Sequence, residues 1–256
     1  MKARRVAVGV CCSLAAVLLA ACTTTTSGPK RSETSAAGYN VQLGYAYLRQ
    51  GNLPLAKEKL ERAEQQDPSS PDVHSALGLL YERLGEAKKA DRHFETALRL
   101  APKDPEIENN YAIYLCRNGR VDEGVKHFES AARNPLYRTP AVAYTNAGVC
   151  QRGAGRLAEA EKNFLRALQL RPNNAEAAFQ LGDLRLQQGA NAEARADVDR
   201  FLDAFRATPD LLLLRVRIAR ATGDKLAEEK FSRRLRIDFP DSDQARALGA
   251  AARNPG

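Results

Sequence analysis

The sequence predicts an all-α solenoid, six stacked helix pairs followed by a short capping helix, on three observations. First, Gly51, Gly85, Gly119, Gly155, Gly189 and Gly223 recur at steps of 34, 34, 36, 34 and 34 residues, and self-similarity at such a period marks a repeat array. Second, small residues keep the same beat at Gly44, Gly78, Ala112, Gly148 and Gly182, broken by Val216, and again at Ala56, Ala90, Gly124, Ala160 and Ala194. Small residues recur where helices must touch. Third, the 256 residues are 44% hydrophobic, 27% charged and only 6% aromatic, with one Met and no Trp, a composition that suits helices packed through small side chains rather than a sheet.

The chain opens with an address. Lys2, Arg4 and Arg5 form a positive region, and Val6 to Leu19 is an apolar run too short for a permanent membrane span, so residues 1–21 are expected to be a secretory signal peptide. The run ends in Leu19-Ala20-Ala21-Cys22, which resembles the bacterial lipobox. That resemblance implies that Cys22 is acylated and leads the mature chain; an ordinary cleavage site beside an incidental cysteine is the other reading. Thr23 rather than Asp after the cysteine favours the outer membrane in the lipoprotein sorting pattern. Residues 22–36, rich in Thr and Ser and containing Gly28 and Pro29, are expected to form a flexible tether. Removing Lys2, Arg4 and Arg5 from the net charge of +8 leaves +5. A modest excess spread over helix faces suits an acidic partner or a lipid surface and lacks the clustered stripe of a nucleic-acid binder, so no nucleic-acid partner is expected.

Six repeats follow, at 37–70, 71–104, 105–140, 141–174, 175–208 and 209–242, and residues 243–256 form a capping helix and tail. Repeat two carries Leu77, Gly78, Tyr81, Ala90, Phe94, Ala97 and Pro102, which resembles the tetratricopeptide signature of two antiparallel helices, A and B, stacked into a right-handed superhelix. Repeat one matches it at Leu43, Gly44, Tyr47, Ala56, Ala63 and Pro68, with Leu60 in place of the aromatic residue. Gly or Ala at the eighth position lets helix A approach helix B, the aromatic residue fills the gap, and the proline stops the pair. The periodic glycines end the A helices, where a left-handed residue is needed. Three departures stand out. Repeat three is two residues longer and leaves through Asn134-Pro135-Leu136-Tyr137-Arg138-Thr139-Pro140. Repeat five has Arg206 instead of the closing proline. Repeat six has Val216 at the small position, and Ala227 and Phe231 fall one residue early, so its B helix is expected to be out of step. Asp241 to Ala252 predicts the capping helix, N-capped by Asp241 or Ser242.

Cys116 and Cys150 remain once Cys11 and Cys12 leave with the leader and Cys22 is acylated. Both lie late on neighbouring A helices, where they form either a disulfide or a pair of buried thiols. The geometry implied by the tetratricopeptide resemblance turns the second, fifth, ninth, twelfth and thirteenth residues of each A helix toward a groove. The ninth positions read Tyr45, Leu79, Ile113, Val149, Asp183 and Arg217, with Asn109 at a fifth position and Arg49, Arg83 and Arg117 at thirteenth positions. Repeats one to four thus offer an apolar ladder edged with arginine, suited to a protein segment with an apolar stripe and an acidic edge. The other reading of each arginine is a solvated helix end favoured by the macrodipole. Catalysis finds no pattern: His74, His93 and His127 lack the close spacing of metal ligands, and Asp183, Asp197, Asp199 and Asp203 show no sign of converging. No enzymatic activity, cofactor, metal or small-molecule substrate is expected.

Asn109-Asn110-Tyr111-Ala112-Ile113-Tyr114-Leu115-Cys116, then Gly119-Arg120, Phe128, Asn134-Pro135-Leu136-Tyr137 and Asn146-Ala147-Gly148-Val149-Cys150 resemble one tetratricopeptide family, the type IV pilus biogenesis lipoproteins that act as outer-membrane pilotins of the pilus secretin. The resemblance covers nearly the whole mature chain. It implies a lipid-anchored protein on the periplasmic face of the outer membrane that binds secretin subunits and promotes their localisation or multimer assembly. The alternative is a general outer-membrane scaffold for another envelope complex.

Overall fold

The computed structural model describes residues 35–253, so the signal peptide, Cys22 and nearly all of the tether lie outside the described residues. Among the described residues all regular structure is helical. The six pairs are α1 (Ala36–Arg49) with α2 (Leu53–Gln66), α3 (Pro71–Arg83) with α4 (Ala87–Leu100), α5 (Pro105–Arg117) with α6 (Val121–Arg133), α7 (Pro140–Gly153) with α8 (Leu157–Leu170), α9 (Ala175–Gln187) with α10 (Asn191–Ala204), and α11 (Pro209–Thr222) with α12 (Lys225–Asp238); α13 (Asp243–Arg253) follows.

Local chemistry sets the boundaries. Most A helices start behind a side-chain cap: Ser35, Ser70, Asp104, Asn174 and Thr208 accept hydrogen bonds from the first-turn amides. Proline occupies the first turn of α3, α5, α7 and α11, where its missing N–H costs nothing. All six periodic glycines adopt φ between 71° and 78°, the left-handed conformation that reverses the chain after each A helix.

Each helix packs on the next in sequence, and each A helix also packs on the A helix of the following repeat, whereas no B helix reaches the next B helix among the described residues. The array therefore curves with the A helices on its inner side. Close A–B approach depends on the eighth position: a Cβ on Gly78 would lie 2.8 Å from ring carbons of Phe94. Phe94, Phe128 and Phe164 are fully buried at equivalent positions of α4, α6 and α8.

The irregular repeats resolve locally. At the exit of repeat three, Asn134 Nδ2 donates to the Lys103 carbonyl at 2.8 Å while its Oδ1 accepts from the Leu136 amide at 2.9 Å. This turns Tyr137 into the core beside Ala112 and Ala143 and leaves Leu136 outside. In repeat six the branched Val216 occupies the glycine position, and α12 buries Ala227 and Phe231, one residue earlier than the B helices before it. Ser242 caps α13, its Oγ accepting from the Ala245 amide at 3.1 Å, and Ala245 and Leu248 close the core.

Candidate protein-binding groove

The inner face is built on a ladder of polar rungs between consecutive A helices. Asn110 Nδ2 donates to Ser75 Oγ at 3.2 Å, Asn146 Nδ2 to Asn109 Oδ1 at 3.1 Å, and Asn174 Nδ2 to Thr145 Oγ1 at 3.0 Å. Ser75, Asn109 and Thr145 are buried, so each rung satisfies a polar group that would otherwise cost about 1–3 kcal/mol. Asn109 therefore serves as a strut between repeats three and four, with its amide oxygen already engaged.

Above the rungs stand the ninth-position residues. Tyr45, Leu79 and Ile113 are half-buried and Val149 is exposed. Along the edge, Arg49 and Arg83 are exposed with no acid at ion-pair distance among the described residues, while Arg117 reaches back to Glu82 at 3.4 Å. Each arginine lies in the last turn of its A helix, where the macrodipole favours a cation, and faces solvent beside the ladder. Between α5 and α7 the floor opens into a cavity of about 540 Å³ lined by Ile113, Val121, Phe128, Asn146 and Val149.

Cys116 and Cys150 form a disulfide at the side of this cavity, with Cα atoms 5.6 Å apart. The bridge explains why position 124 is glycine where α2, α4, α8 and α10 carry alanine. A Cβ there would meet Cys116 Sγ at 2.5 Å.

The ladder ends in repeat five, where the ninth residue is charged. Asp183 is buried and held from both sides: Arg152 of repeat four forms an ion pair with one carboxylate oxygen, and Arg217 of repeat six reaches the other at 2.7 Å. Gln187 donates to it at 3.0 Å. Three repeats are thus tied by one carboxylate. Two other acids of this region are also paired, Asp197 with Arg185 and Arg200, and Asp199 with Arg215 at 2.6 Å, whereas Asp203 makes no ion pair among the described residues. These are structural ion pairs rather than groups arranged around a substrate.

The histidines depart from expectation. His74 and His93, 19 residues apart, meet with their Nδ1 atoms 3.1 Å apart, because the antiparallel α3–α4 pair folds the start of one helix onto the middle of the other. His93 stacks on Tyr81 with ring centroids 5.2 Å apart. Burial, and then the neighbouring His74, push its imidazole down to about 4. His127 stands apart, beside the buried Glu108.

Family models for the TPR repeat and the tetratricopeptide repeat match residues 44–85, 71–104, 145–211 and 179–243. The chain belongs to the tetratricopeptide repeat family. This tetratricopeptide protein is 28% identical over 202 residues to the type IV pilus assembly protein PilF of Pseudomonas aeruginosa, covering 79% of this chain and 80% of that one. Two solved structures are similar to it throughout their length. One is PilW, described as a widely conserved type IV pilus biogenesis factor, with a TM-score of 0.66, 28% identity, and 83% of this chain and 97% of that chain covered. The other is Pseudomonas aeruginosa PilF, with a TM-score of 0.64, 28% identity, and 84% and 97% covered. Yeast Tom70, at 19% identity and a TM-score of 0.61 over 76% of this chain and 42% of that one, shares the fold.

Sequence reasoning about this tetratricopeptide array missed the rungs, the Asp183 clasp and the histidine pair. The rungs did leave a signal: a polar residue at the fifth position of one A helix and asparagine at the sixth position of the next, as in Ser75 with Asn110 and Asn109 with Asn146.

Proposed function

We propose that the chain is a type IV pilus biogenesis factor, an outer-membrane pilotin that holds secretin subunits in the groove of repeats one to four and brings them to the membrane on a lipid anchor at Cys22. The observation that carries this reading is the end-to-end match to PilW and PilF, which spans 97% of each of those solved chains at 28% identity. A tetratricopeptide array without that match would be a generic binder. The groove supplies grip: completing the burial of half-buried side chains such as Leu79 or Ile113 under a partner is worth about 1 kcal/mol each, roughly half the value for a fully exposed side chain, and Arg49 and Arg83 add charge complementarity for an acidic edge. Acyl chains contribute about 0.8 kcal/mol per buried methylene, so more than one chain on Cys22 makes attachment stable.

Two variants test the two halves of this reading. Cys22→Ala leaves a folded array that no longer delivers secretin, read as loss of secretin multimers from isolated outer membranes; normal multimers in that strain would refute the pilotin role. Leu79→Glu with Ile113→Glu weakens capture of solubilised secretin at least about tenfold, since two buried apolar anchors are replaced by charge, without loss of helix by circular dichroism. Unchanged capture by a folded double variant would remove the groove assignment.

A further inference from the structure

Glu64 of α2, His74 of α3 and His93 of α4 bring one ligand atom each to within 4.8 Å of one another, at the seam between repeats one and two. We propose that these three residues form a binding site for a divalent transition metal of the zinc class. His74 Nδ1 lies 3.1 Å from His93 Nδ1 and 3.9 Å from Glu64 Oε1. Two nitrogens 3.1 Å apart can be bridged by one ion with bonds of about 2.0–2.1 Å, the zinc–imidazole distance.

The surroundings hold the site in a ligating form. His74 Nε2 lies 2.9 Å from the Pro68 carbonyl. A carbonyl only accepts, so Nε2 carries the proton and the Nδ1 lone pair points at the proposed ion, the outer-shell arrangement by which metal-bound histidines are fixed. His74 is buried and His93 is clamped between the His74 and Tyr81 rings, so both imidazoles are positioned before an ion arrives. Glu64 is only half-buried, which lets its carboxylate swing in and gives the ion a path from solvent. In the metal-free pair His93 Nδ1–H donates to His74 Nδ1. Metal entry needs His93 as its other tautomer, with the proton on Nε2 and the Nδ1 lone pair on the ion.

Two imidazole nitrogens and one carboxylate oxygen suit Zn²⁺, with Cu²⁺ and Ni²⁺ accepting the same donors, and disfavour Ca²⁺ and Mg²⁺, which take all-oxygen shells. Three protein ligands leave a fourth position for water or for a side chain of a bound partner. Because the ligands come from three helices, occupancy would rivet repeat one to repeat two, adding a fixed crosslink to the packing and the His74–Pro68 hydrogen bond that join them.

The test uses the full-length chain, stripped of metal, with the thiols of Cys11, Cys12 and Cys22 alkylated so that they do not compete. Zinc titration against a chromophoric chelator at neutral pH should show one tight equivalent, Co²⁺ should give a tetrahedral visible spectrum, and zinc should raise the Tm. His93→Ala should abolish the tight equivalent and Glu64→Gln should weaken it at least about tenfold. Absence of a tight equivalent in the unsubstituted chain, or its survival in His93→Ala, would overturn the proposal. If His93→Ala does not fold, Glu64→Gln decides, its half-exposed carboxylate being replaceable without a cavity: zinc affinity unchanged in that variant would overturn the proposal.

Discussion

The covalent link between repeats three and four allows a prediction that can be followed to a number. Replacing both Cys116 and Cys150 by alanine opens a loop of 34 residues, and the chain-entropy relation assigns such a loop about 3–4 kcal/mol. For a domain of this size each kcal/mol moves the Tm by about 2–4 °C, so the double variant should melt roughly 8–15 °C lower. Solenoids communicate through nearest-neighbour interfaces, so the loss should concentrate between α5 and α7, read as faster amide exchange there than in α11. Gly124 supplies the internal control. Alanine at 124 collides with Cys116 Sγ in the bridged protein and should cost about 1–3 kcal/mol as overpacking. In the cysteine-free background that sulfur is gone and the Ala112 carbonyl oxygen, 3.0 Å from the added Cβ, is the closest remaining atom, while alanine gains about 1 kcal/mol of helix propensity over glycine, so the same substitution should be less costly. A Tm change below about 2 °C on removing the bridge, no more than about 1 kcal/mol gives in a domain of this size, or an identical cost of Gly124→Ala in both backgrounds, would refute the reasoning.

Two further perturbations probe the array. Asp183→Ala strands Arg152 and Arg217 and should cost about 3 kcal/mol, the lower end for a broken buried pair because Arg217 is part-exposed; urea denaturation checks this, and a loss below about 1 kcal/mol, the value of a surface pair, would show that the clasp is ornamental. Gly148→Ala places a Cβ 2.5 Å from Phe164 and should lower the urea midpoint by the equivalent of about 1–3 kcal/mol, a cost that should shrink when the substitution is measured in a Phe164→Ala background, where the ring it meets is gone.

What the residues revealed unaided is what local chemistry decides. Glycine at 51, 85, 119, 155, 189 and 223 is required by a left-handed φ, Ser242 caps the last helix, and the early Ala227 and Phe231 displace the buried stripe of α12. These features depend on neighbours within a turn or two, so spacing exposes them. Long-range polar pairing was illegible. Asn109 and Asn146 are separated by 37 residues, and an amide on an A helix reads as a solvent or groove residue until the next helix is laid beside it. Charge reading failed at Asp183 for the same reason, since its arginine partners sit 31 and 34 residues away on different repeats. Linear spacing sets His74 and His93 apart, whereas a helical hairpin makes the first turn of one helix and the middle of the next into neighbours.

The amide struts also explain how an array with one odd-length member stays in phase. Ser75 and Asn110 are 35 residues apart, while the equivalent Asn109 and Asn146 are 37 apart, so the two surplus residues of the third unit vanish from the registration of the helices and surface only at Leu136, which is 83% exposed. The bend between α6 and α7 is thus an expansion joint: descendants of this chain can lengthen, shorten or decorate it while the spacing of everything downstream, and the shape offered to a ligand protein, is conserved.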